Sequence, residues 1–361
     1  MPFERLSEAA RNGLGSVCED PQWYGVLRPR GDNNLTIKLL STDTAQLLLG
    51  LADVMPLPEH VVDALGEQCD RFVAKMVLDD ILAVEVNGQM LSGPAAMDVV
   101  EPNAKAPHRG GYIAALSRAA LAYASALDEA SVLELSQKLY FYNRHPVSDA
   151  WRQLFPTRSA VKSALGLRRR AMRSLLRTHW FELPTQQRGG WIAWQSRHPA
   201  LQSGHPTFKL YVSPMGTAVA SVMLPCIEAA THFGAFLWKV GGNADGLLRP
   251  DKFILYFEHF DHLKAAEEYI AERIRGCPSH GVPFTGELEP GGLLSWGIDP
   301  PHARSSVPWL GQESWRARIC AILASALVVA KRANRDRVSS TRFALQRCRL
   351  EGIDTDTWTP V

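Results

Sequence analysis

Three short apolar segments of this chain carry lysine or arginine side chains in a pattern typical of β-strands. They are residues 208–212 with Lys209, residues 236–240 with Lys239, and residues 253–257, which follow Arg249 and Lys252. A charged side chain in a packed strand lowers stability unless it meets a negative group. Several cations on neighbouring strands therefore indicate a site that receives a dianion such as phosphate.

The period of a β-strand decides which of these side chains share a face. Alternate residues of a strand point to the same side of its sheet. Lys209 and Tyr211 therefore lie on one face, opposite Leu210, and Trp238 leaves Lys239 on the other face of its strand. A face with lysine and tyrosine suits a site that binds an anion and moves a proton. Any one of these lysines alone more often lies on a solvent-exposed sheet face or at a strand end, so the hypothesis rests on the set.

The composition is that of a folded protein without an unusual charge. The chain has 361 residues, 46% hydrophobic residues and a net charge of +2. The nearly balanced charge does not indicate nucleic-acid binding, and the six scattered cysteines form no CxxC pair that would suggest zinc or redox chemistry. The start of the chain does not resemble a signal peptide, and the longest apolar helical run is too short to cross a bilayer. We expect a cytoplasmic protein without a membrane or nucleic-acid partner.

Hydrophobic periodicity predicts an α+β protein in two regions. Residues 1–185 read as a mainly helical N-terminal region that is a candidate for binding a leader peptide or a partner, with a β-hairpin around Asn87-Gly88. Residues 186–361 read as a catalytic domain with a twisted, largely antiparallel sheet and flanking helices. The predicted strands are 191–194, 208–212, 236–240, 253–257 and 292–296, and the predicted helices are 217–233, 262–275 and 315–333.

An arginine-rich helix is predicted near the junction, at residues 167–177. Such a run most often solvates one face of a helix. An acidic-peptide surface and an RNA-binding patch remain as alternatives. The role of this helix is open at the level of sequence.

The order of the C-terminal motifs resembles the phosphothreonine-lyase-like domains of lanthipeptide biosynthesis. Those domains place a Lys-x-His-Val-Ser strand before a helix, a Phe-Lys strand and an Arg-rich loop that enters a Lys-Phe-Ile strand. The sequence is more similar to the stand-alone lyases of class V lanthipeptide and thioamitide pathways, which are relatives of a type III effector family. Their Leu-Ala-Pro-Gly-x-Gly-Leu-Ala-x-Asp-Pro segment matches Leu-Glu-Pro-Gly-Gly-Leu-Leu-Ser-Trp-Gly-Ile-Asp-Pro at residues 288–300, and a Gly-Ile-Asp recurs at residues 352–354.

The resemblance implies a carbon–oxygen lyase that eliminates phosphate from phosphoserine or phosphothreonine in a precursor peptide. The product is dehydroalanine or dehydrobutyrine, and a separate kinase supplies the substrate. Lys239 is the expected base, and no metal or other cofactor is expected. The residues expected to bind the leaving phosphate are Lys209, Arg249, Lys252 and Arg318.

Two positions depart from the family pattern, one of which is Arg318-Ile319-Cys320 where the family has His-Arg-Cys, so the anion pocket differs there. Tyr211 stands where the lanthipeptide lyases have a histidine acid, and the interpretation that it is catalytic requires nearby cations to lower its pKa. His205, just before this strand, is an alternative proton donor. A relative that binds phosphopeptides without eliminating phosphate, or an effector that uses the same anion pocket, is the alternative function. Neither the peptide, the alkene stereochemistry nor the oligomeric state follows from the sequence.

Overall fold

The computed structural model describes most of the chain in two compact units. It describes residues 3–5, 23–29, 38–52, 54–100, 110–128, 131–184, 190–198, 206–299, 314–333 and 339–361. The units are Met1–Pro102 and Asn103–Val361. The boundary therefore lies near residue 102, whereas the sequence predicted it near residue 185.

The described residues of the first unit form a small sheet, four helices and a hairpin. Strands β1 (Phe3–Arg5), β2 (Trp23–Pro29) and β3 (Lys38–Ser41) form an antiparallel sheet that the sequence did not predict. The helices are α1 (Thr42–Ala52), α2 (Glu59–Leu65), α3 (Cys69–Leu78) and α4 (Met97–Val100).

The predicted hairpin is confirmed as β4 (Val84–Val86) and β5 (Gln89–Leu91). Asn87 and Gly88 join the strands with φ values of 50° and 78°. Two consecutive positive φ values are what a type I′ turn requires, and Asn-Gly adopts them at low cost. The Asn-Gly turn residues therefore account for the position of this hairpin.

The second unit surrounds one large sheet with helices. Its helices before the central strands are α5 (Tyr112–Ala126), α6 (Val132–Tyr140), α7 (Asp149–Leu154), α8 (Arg158–Ala164) and α9 (Arg170–His179). Its later helices are α10 (Val219–His232), α11 (Ala244–Leu247), α12 (Phe260–Arg273), α13 (Trp315–Arg332) and α14 (Ser340–Leu350). A two-stranded sheet of β13 (Ile353–Asp354) and β14 (Thr359–Pro360) lies at the end.

Seven antiparallel strands form the main sheet, so the α+β class is confirmed. They are β6 (Trp180–Glu182), β7 (Trp191–Ser196), β8 (Phe208–Val212), β9 (Leu237–Gly241), β10 (Phe253–Phe257), β11 (Gly286–Glu287) and β12 (Leu294–Ile298). Their order across the sheet is β11-β12-β8-β10-β9-β7-β6. Strand β6 follows helix α9 without an intervening residue, because α9 ends at His179 and β6 begins at Trp180.

The two faces of this sheet pack differently. On one face, Leu210, Trp238 and Leu255 join a large apolar core with helices α10 and α12. Residues of α8 and α9 belong to the same core, including Val161 and Leu176. This shared core explains why the helices before residue 185 belong to the sheet unit.

No described helix is long and apolar enough to cross a lipid bilayer.

Trp238 is the centre of an aromatic cluster that fixes β9 against its neighbours. The side chain is 0% exposed. Its ring stacks on Trp194 with centroids 5.9 Å apart, and it meets Trp180 and Phe253 edge-on. Because Lys239 is the next residue, this cluster also fixes the position of the Lys239 backbone.

We expect Trp238→Ala to lower the free energy of unfolding by about 3–5 kcal/mol, because it leaves a cavity among three aromatic rings. Denaturant unfolding measures the change. Leu133→Ala is the control, since Leu133 is 68% exposed and its truncation should change stability by no more than about 0.5 kcal/mol. Equal effects of the two substitutions would contradict this account of the core.

Candidate functional site

The face of the sheet opposite the helical core carries the side chains that could bind an anion or transfer a proton. Tyr211 pairs with Ile254, and Ile254 pairs with Lys239, so Tyr211 and Lys239 lie in one row across three strands. Lys209 pairs with Tyr256 in the next row. The predicted strand phase is therefore confirmed: Lys209, Tyr211 and Lys239 share one face.

Two aromatic rings hold the two lysines of this face. The Lys239 Nζ lies 4.3 Å from the centroid of the Trp191 ring and 5.6 Å from that of Tyr256. The Lys209 Nζ lies 5.3 Å from the centroid of the same Tyr256 ring. Cations over aromatic faces are stabilised by attraction to the ring electrons. Lys239 is half-buried.

Lys209 is more deeply buried and has a carboxylate partner. Its Nζ donates to Asp299 Oδ1 at 2.5 Å, and the side chain of Lys209 is 8% exposed. Burial lowers the pKa of Lys209, and the ion pair with Asp299 opposes that shift only in part. Asp299 belongs to the matched Ile-Asp-Pro motif, but its pairing with Lys209 was not predicted from the sequence.

Asp251 is the buried carboxylate around which the cations are arranged. It is 2% exposed and accepts two hydrogen bonds from Arg249, from Nε at 2.8 Å and from a terminal nitrogen at 2.9 Å. Arg249 thus bonds to both carboxylate oxygens, and Oδ2 is also approached by Arg316 at 3.0 Å and accepts from the Tyr140 hydroxyl at 3.2 Å. Burial alone would raise the pKa of Asp251, but Arg316 and Arg249 hold it well below its ordinary value.

Arg316 was missed in the sequence, although helical spacing contained the signal. Arg316 is 1% exposed and lies on the buried face of α13 with Ile319 and Leu323. Its Nε donates to the Pro283 carbonyl, and a terminal nitrogen donates to the Tyr140 carbonyl. Arg316, Ile319 and Leu323 have the i, i+3 and i+7 spacing of an apolar helix face. A charged residue on such a face requires a buried counter-charge. Asp251 supplies it.

Arg318 does not join this cluster. Its guanidinium lies 3.3 Å from a Glu351 carboxylate oxygen. Two residues along a helix turn a side chain by about 200°, so Arg316 and Arg318 leave α13 in different directions. The prediction that Arg318 binds the leaving phosphate therefore has no support in its position, and Arg316 stands at the place that the sequence analysis gave to Arg318.

Lys252 is buried and engaged in a structural network. Its Nζ donates to the Pro214 carbonyl and contacts His280 Nδ1, both at 2.8 Å, and the side chain is 0% exposed. His280 in turn donates from Nε2 to the Asn143 carbonyl at 2.5 Å, which makes Nδ1 the acceptor. Burial lowers the pKa of Lys252 to about 7. The predicted phosphate contact of Lys252 is therefore replaced by an internal one.

The environment of Tyr211 differs from the expectation. Tyr211 is 2% exposed, and burial raises its pKa well above the ordinary value, with Arg316 opposing the shift only in part. The sequence analysis expected nearby cations to lower this pKa, and that expectation is wrong because desolvation of the phenolate outweighs their attraction. Tyr211 therefore keeps its proton at neutral pH. His205, the alternative donor, lies outside the described residues.

The charges of this face suit a dianion. Lys209, Lys239, Arg249 and Arg316 bring four basic side chains to this face, together with the carboxylates of Asp251 and Asp299. The Arg249 guanidinium, like Lys239, lies over the Trp191 ring, with its central carbon 4.9 Å from the ring centroid. Within the described parts of the chain, no group of three or more His, Cys, Asp or Glu side chains is arranged to hold a metal ion.

Comparisons with known proteins give similarities of low identity. No protein-family model matches the chain, and no curated protein matches its sequence. An effector protein from Pseudomonas syringae pv. tomato strain DC3000 is similar in structure with a TM-score of 0.41 and 15% identity, over 68% of this chain and 98% of that one. An effector protein from Pseudomonas syringae pv. syringae strain 61 has a TM-score of 0.45 and 13% identity, over 70% of this chain and 99% of that one. At these TM-scores the likeness assigns no role to any residue of the site.

We expect Asp251→Asn to lower the free energy of unfolding by about 3–5 kcal/mol, because it leaves Arg249 and Arg316 without a buried counter-charge. Thermal and denaturant unfolding measure the loss. Asp245→Asn is the matched control: Asp245 also pairs with an arginine, but its side chain is 55% exposed, so the loss should stay within about 1 kcal/mol. If both variants were equally stable, Asp251 would not organise the site.

The buried His280 should make the protein sensitive to mild acid. Burial, together with Lys252 and His145, lowers the pKa of His280 from 6.5 to about 3. Between these values the unfolded chain binds a proton that the folded protein does not, so stability is fully present above pH 6.5 and is lost as the pH falls toward 3. We expect the wild type to lose about 1.4 kcal/mol per pH unit more than His280→Asn in this window.

Urea unfolding at several pH values measures the two slopes. His198→Asn is the control, because His198 is exposed and its replacement should keep the wild-type slope. Identical slopes for wild type and His280→Asn would show that His280 does not titrate in this way.

Proposed function

We propose that this protein is a lyase that eliminates phosphate from phosphoserine or phosphothreonine in a peptide. The observation that carries the proposal is the placement of a half-buried lysine amine, Lys239, beside Arg249 on one indole ring. A base next to a phosphate-binding guanidinium is what a β-elimination needs.

In the proposed reaction Lys239 takes the proton from the Cα atom of the phosphorylated residue. The electron pair of the Cα–H bond forms the Cα=Cβ double bond as the Cβ–O bond breaks. Phosphate leaves with that bonding pair, and the peptide keeps a dehydroalanine or dehydrobutyrine. Lys239 must enter the reaction as a neutral amine, and it returns its proton to solvent. The reaction consumes neither water nor an oxidant.

Arg249 is the group best placed to bind the leaving phosphate. Asp251 holds Arg249 by two parallel hydrogen bonds, which orients the guanidinium before substrate arrives. Its remaining N–H groups are then available to phosphate oxygens, and preorganised donors of this kind stabilise charge that grows in a transition state. Arg316 acts through Asp251 as a positioning residue, since it is 1% exposed.

Two further donors lie on the same sheet face as Lys239: Tyr211 is a neutral hydrogen-bond donor, and Lys209 is a cationic one. The raised pKa of Tyr211 keeps its proton, so a role for Tyr211 is donation of a hydrogen bond to a phosphate oxygen rather than rapid proton transfer. Lys209, paired with Asp299, adds positive electrostatic potential in the row of the sheet next to Tyr211.

A phosphopeptide-binding protein that does not eliminate phosphate is the second candidate. The observation that favours it is the high pKa of Tyr211, because the lanthipeptide lyases that the sequence resembles have a histidine acid at this position. Both candidates require a separate kinase that phosphorylates the peptide. An effector that uses this anion site on a host phosphoprotein belongs to the same alternative.

Mass spectrometry of a phosphoserine peptide tests the proposal, with a peptide from a precursor encoded beside this gene as the preferred substrate. We expect wild type to release phosphate, with a mass loss of phosphoric acid from the peptide. Lys239→Ala should be slower by at least about 10²-fold, which is the contribution of a positioned base. Peptide binding by Lys239→Ala should persist.

Lys264→Ala is the matched control, because Lys264 is bonded to Glu267 on α12, outside the site, and should retain full activity. Release of phosphate that is unchanged in Lys239→Ala would exclude this lysine as the base. Binding of the phosphopeptide without any release, in every variant, would favour the second candidate.

A further inference from the structure

The arginine-rich segment forms an exposed cationic face on helix α9. Arg170, Arg173 and Arg177 lie at helical spacing and are exposed, and Met172 and Leu176 on the other side of the helix are buried. This amphipathic division is stronger than a solvated helix needs, since every polar position of the central turns is an arginine or lies beside one. The segment plays no part in the proposed reaction.

A cavity of about 400 Å³ lies between this helix and the sheet. We refer to it as the arginine groove. Its apolar lining comes from Leu167, Leu176, Trp180 and Trp194, and its cationic lining includes Arg168, Arg173, Arg177 and Arg197. Arg168, Arg173 and Arg177 also line an adjoining depression of about 530 Å³ on the outer side of the helix.

The arginine groove borders the unpaired edge of the main sheet. Strand β6 is the last strand in the sheet order, and no other described strand pairs with its outer edge. Leu183 donates to the Ala193 carbonyl, and Arg197 donates to the His179 carbonyl, both toward β7. Because alternate residues of an antiparallel strand bond to the same neighbour, Glu182 directs its backbone N–H and C=O away from β7, toward the open edge.

The charges of the groove are not balanced from within. Among the described residues of its lining, Glu182 is the one acidic side chain, and Arg158 and Lys162 already pair with it. No carboxylate of the described residues lies within ion-pair distance of Arg168, Arg173, Arg177 or Arg197, and all four are exposed. A ligand for this groove therefore carries negative charge.

We propose that the arginine groove and the open edge of β6 bind an acidic, extended peptide segment that adds to the sheet as a further strand. The segment pairs with the backbone of Glu182, and the side chains of one of its faces enter the groove, where apolar ones contact Trp180 and Trp194 and acidic ones meet the arginines. Strand addition uses main-chain hydrogen bonds for affinity and alternate side chains for specificity. This site is separate from the Lys239 face, and the proposal does not depend on the lyase reaction.

The geometry favours a peptide over RNA. An RNA strand would use the arginines through its phosphates, but it would leave the backbone edge of β6 unpaired. An unpaired strand edge beside an apolar groove is the arrangement that peptide-binding sheets use.

Fluorescence anisotropy with a labelled synthetic peptide of repeating Glu-Glu-Val-Val units, which presents both residue types on each face of an extended strand, tests the proposal on the full-length protein. We expect saturable binding that weakens at least about tenfold in Arg173→Glu/Arg177→Glu. Arg275→Glu, an exposed arginine outside the groove, should bind as the wild type does. Both altered positions of the double variant are exposed, and thermal unfolding checks that the fold is retained.

Three comparison ligands separate a strand site from a charged surface. A peptide with proline at alternate valine positions should bind at least about tenfold more weakly, because it cannot donate to the strand edge. A lysine–valine peptide should not bind. Equal binding of the proline peptide would overturn the strand-addition proposal. Tighter binding of a mixed-sequence RNA that is also lost in Arg173→Glu/Arg177→Glu would overturn it in favour of a nucleic-acid surface.

Discussion

The site depends on one buried carboxylate. Asp251 accepts hydrogen bonds from Arg249 and the Tyr140 hydroxyl and forms an ion pair with Arg316. These groups come from the segment before β10, from the end of α6 and from the start of α13. Two guanidinium groups brought this close would repel each other and lose hydration without an anion between them. The carboxylate therefore joins three parts of the unit and fixes the direction in which Arg249 faces.

The sheet separates this polar arrangement from the apolar core. Because strand side chains alternate, each site residue on β8 and β9 is flanked by residues that pack on the other side. Lys239 lies between Trp238 and Val240, both 0% exposed, and Lys209 precedes Leu210 in the same core. Rigid packing on one face thus restrains the backbone that carries the lysines on the other. The aromatic rings of Trp191 and Tyr256 then limit where the two amines can move.

Local pattern was sufficient to predict much of this structure. Strands 208–212 and 253–257 were predicted at their observed bounds, and the alternation of Lys209 and Lys239 gave their common face. What the sequence left open were contacts between distant segments. The pairing of Asp251 with Arg316 joins residues from two elements, and the pKa of Tyr211 depends on how deeply the sheet is covered. The contact-based unit boundary near residue 102 differs from the predicted one near residue 185 for a similar reason, since only packing shows that α8 and α9 share the core of the sheet.

Helix α9 passes directly into strand β6, so the 3.6-residue period of the helix and the two-residue period of the strand are in a fixed register. His179 ends the helix and Trp180 begins the strand, so no loop exists to absorb a change in chain length. One inserted residue would turn the arginine face by about 100° relative to the strand, and it would also exchange the side chains that β6 presents to its two faces. Evolution can therefore alter the residue types of this segment more easily than its length. A family of related chains should show substitutions here but a constant spacing between the arginines and the sheet edge.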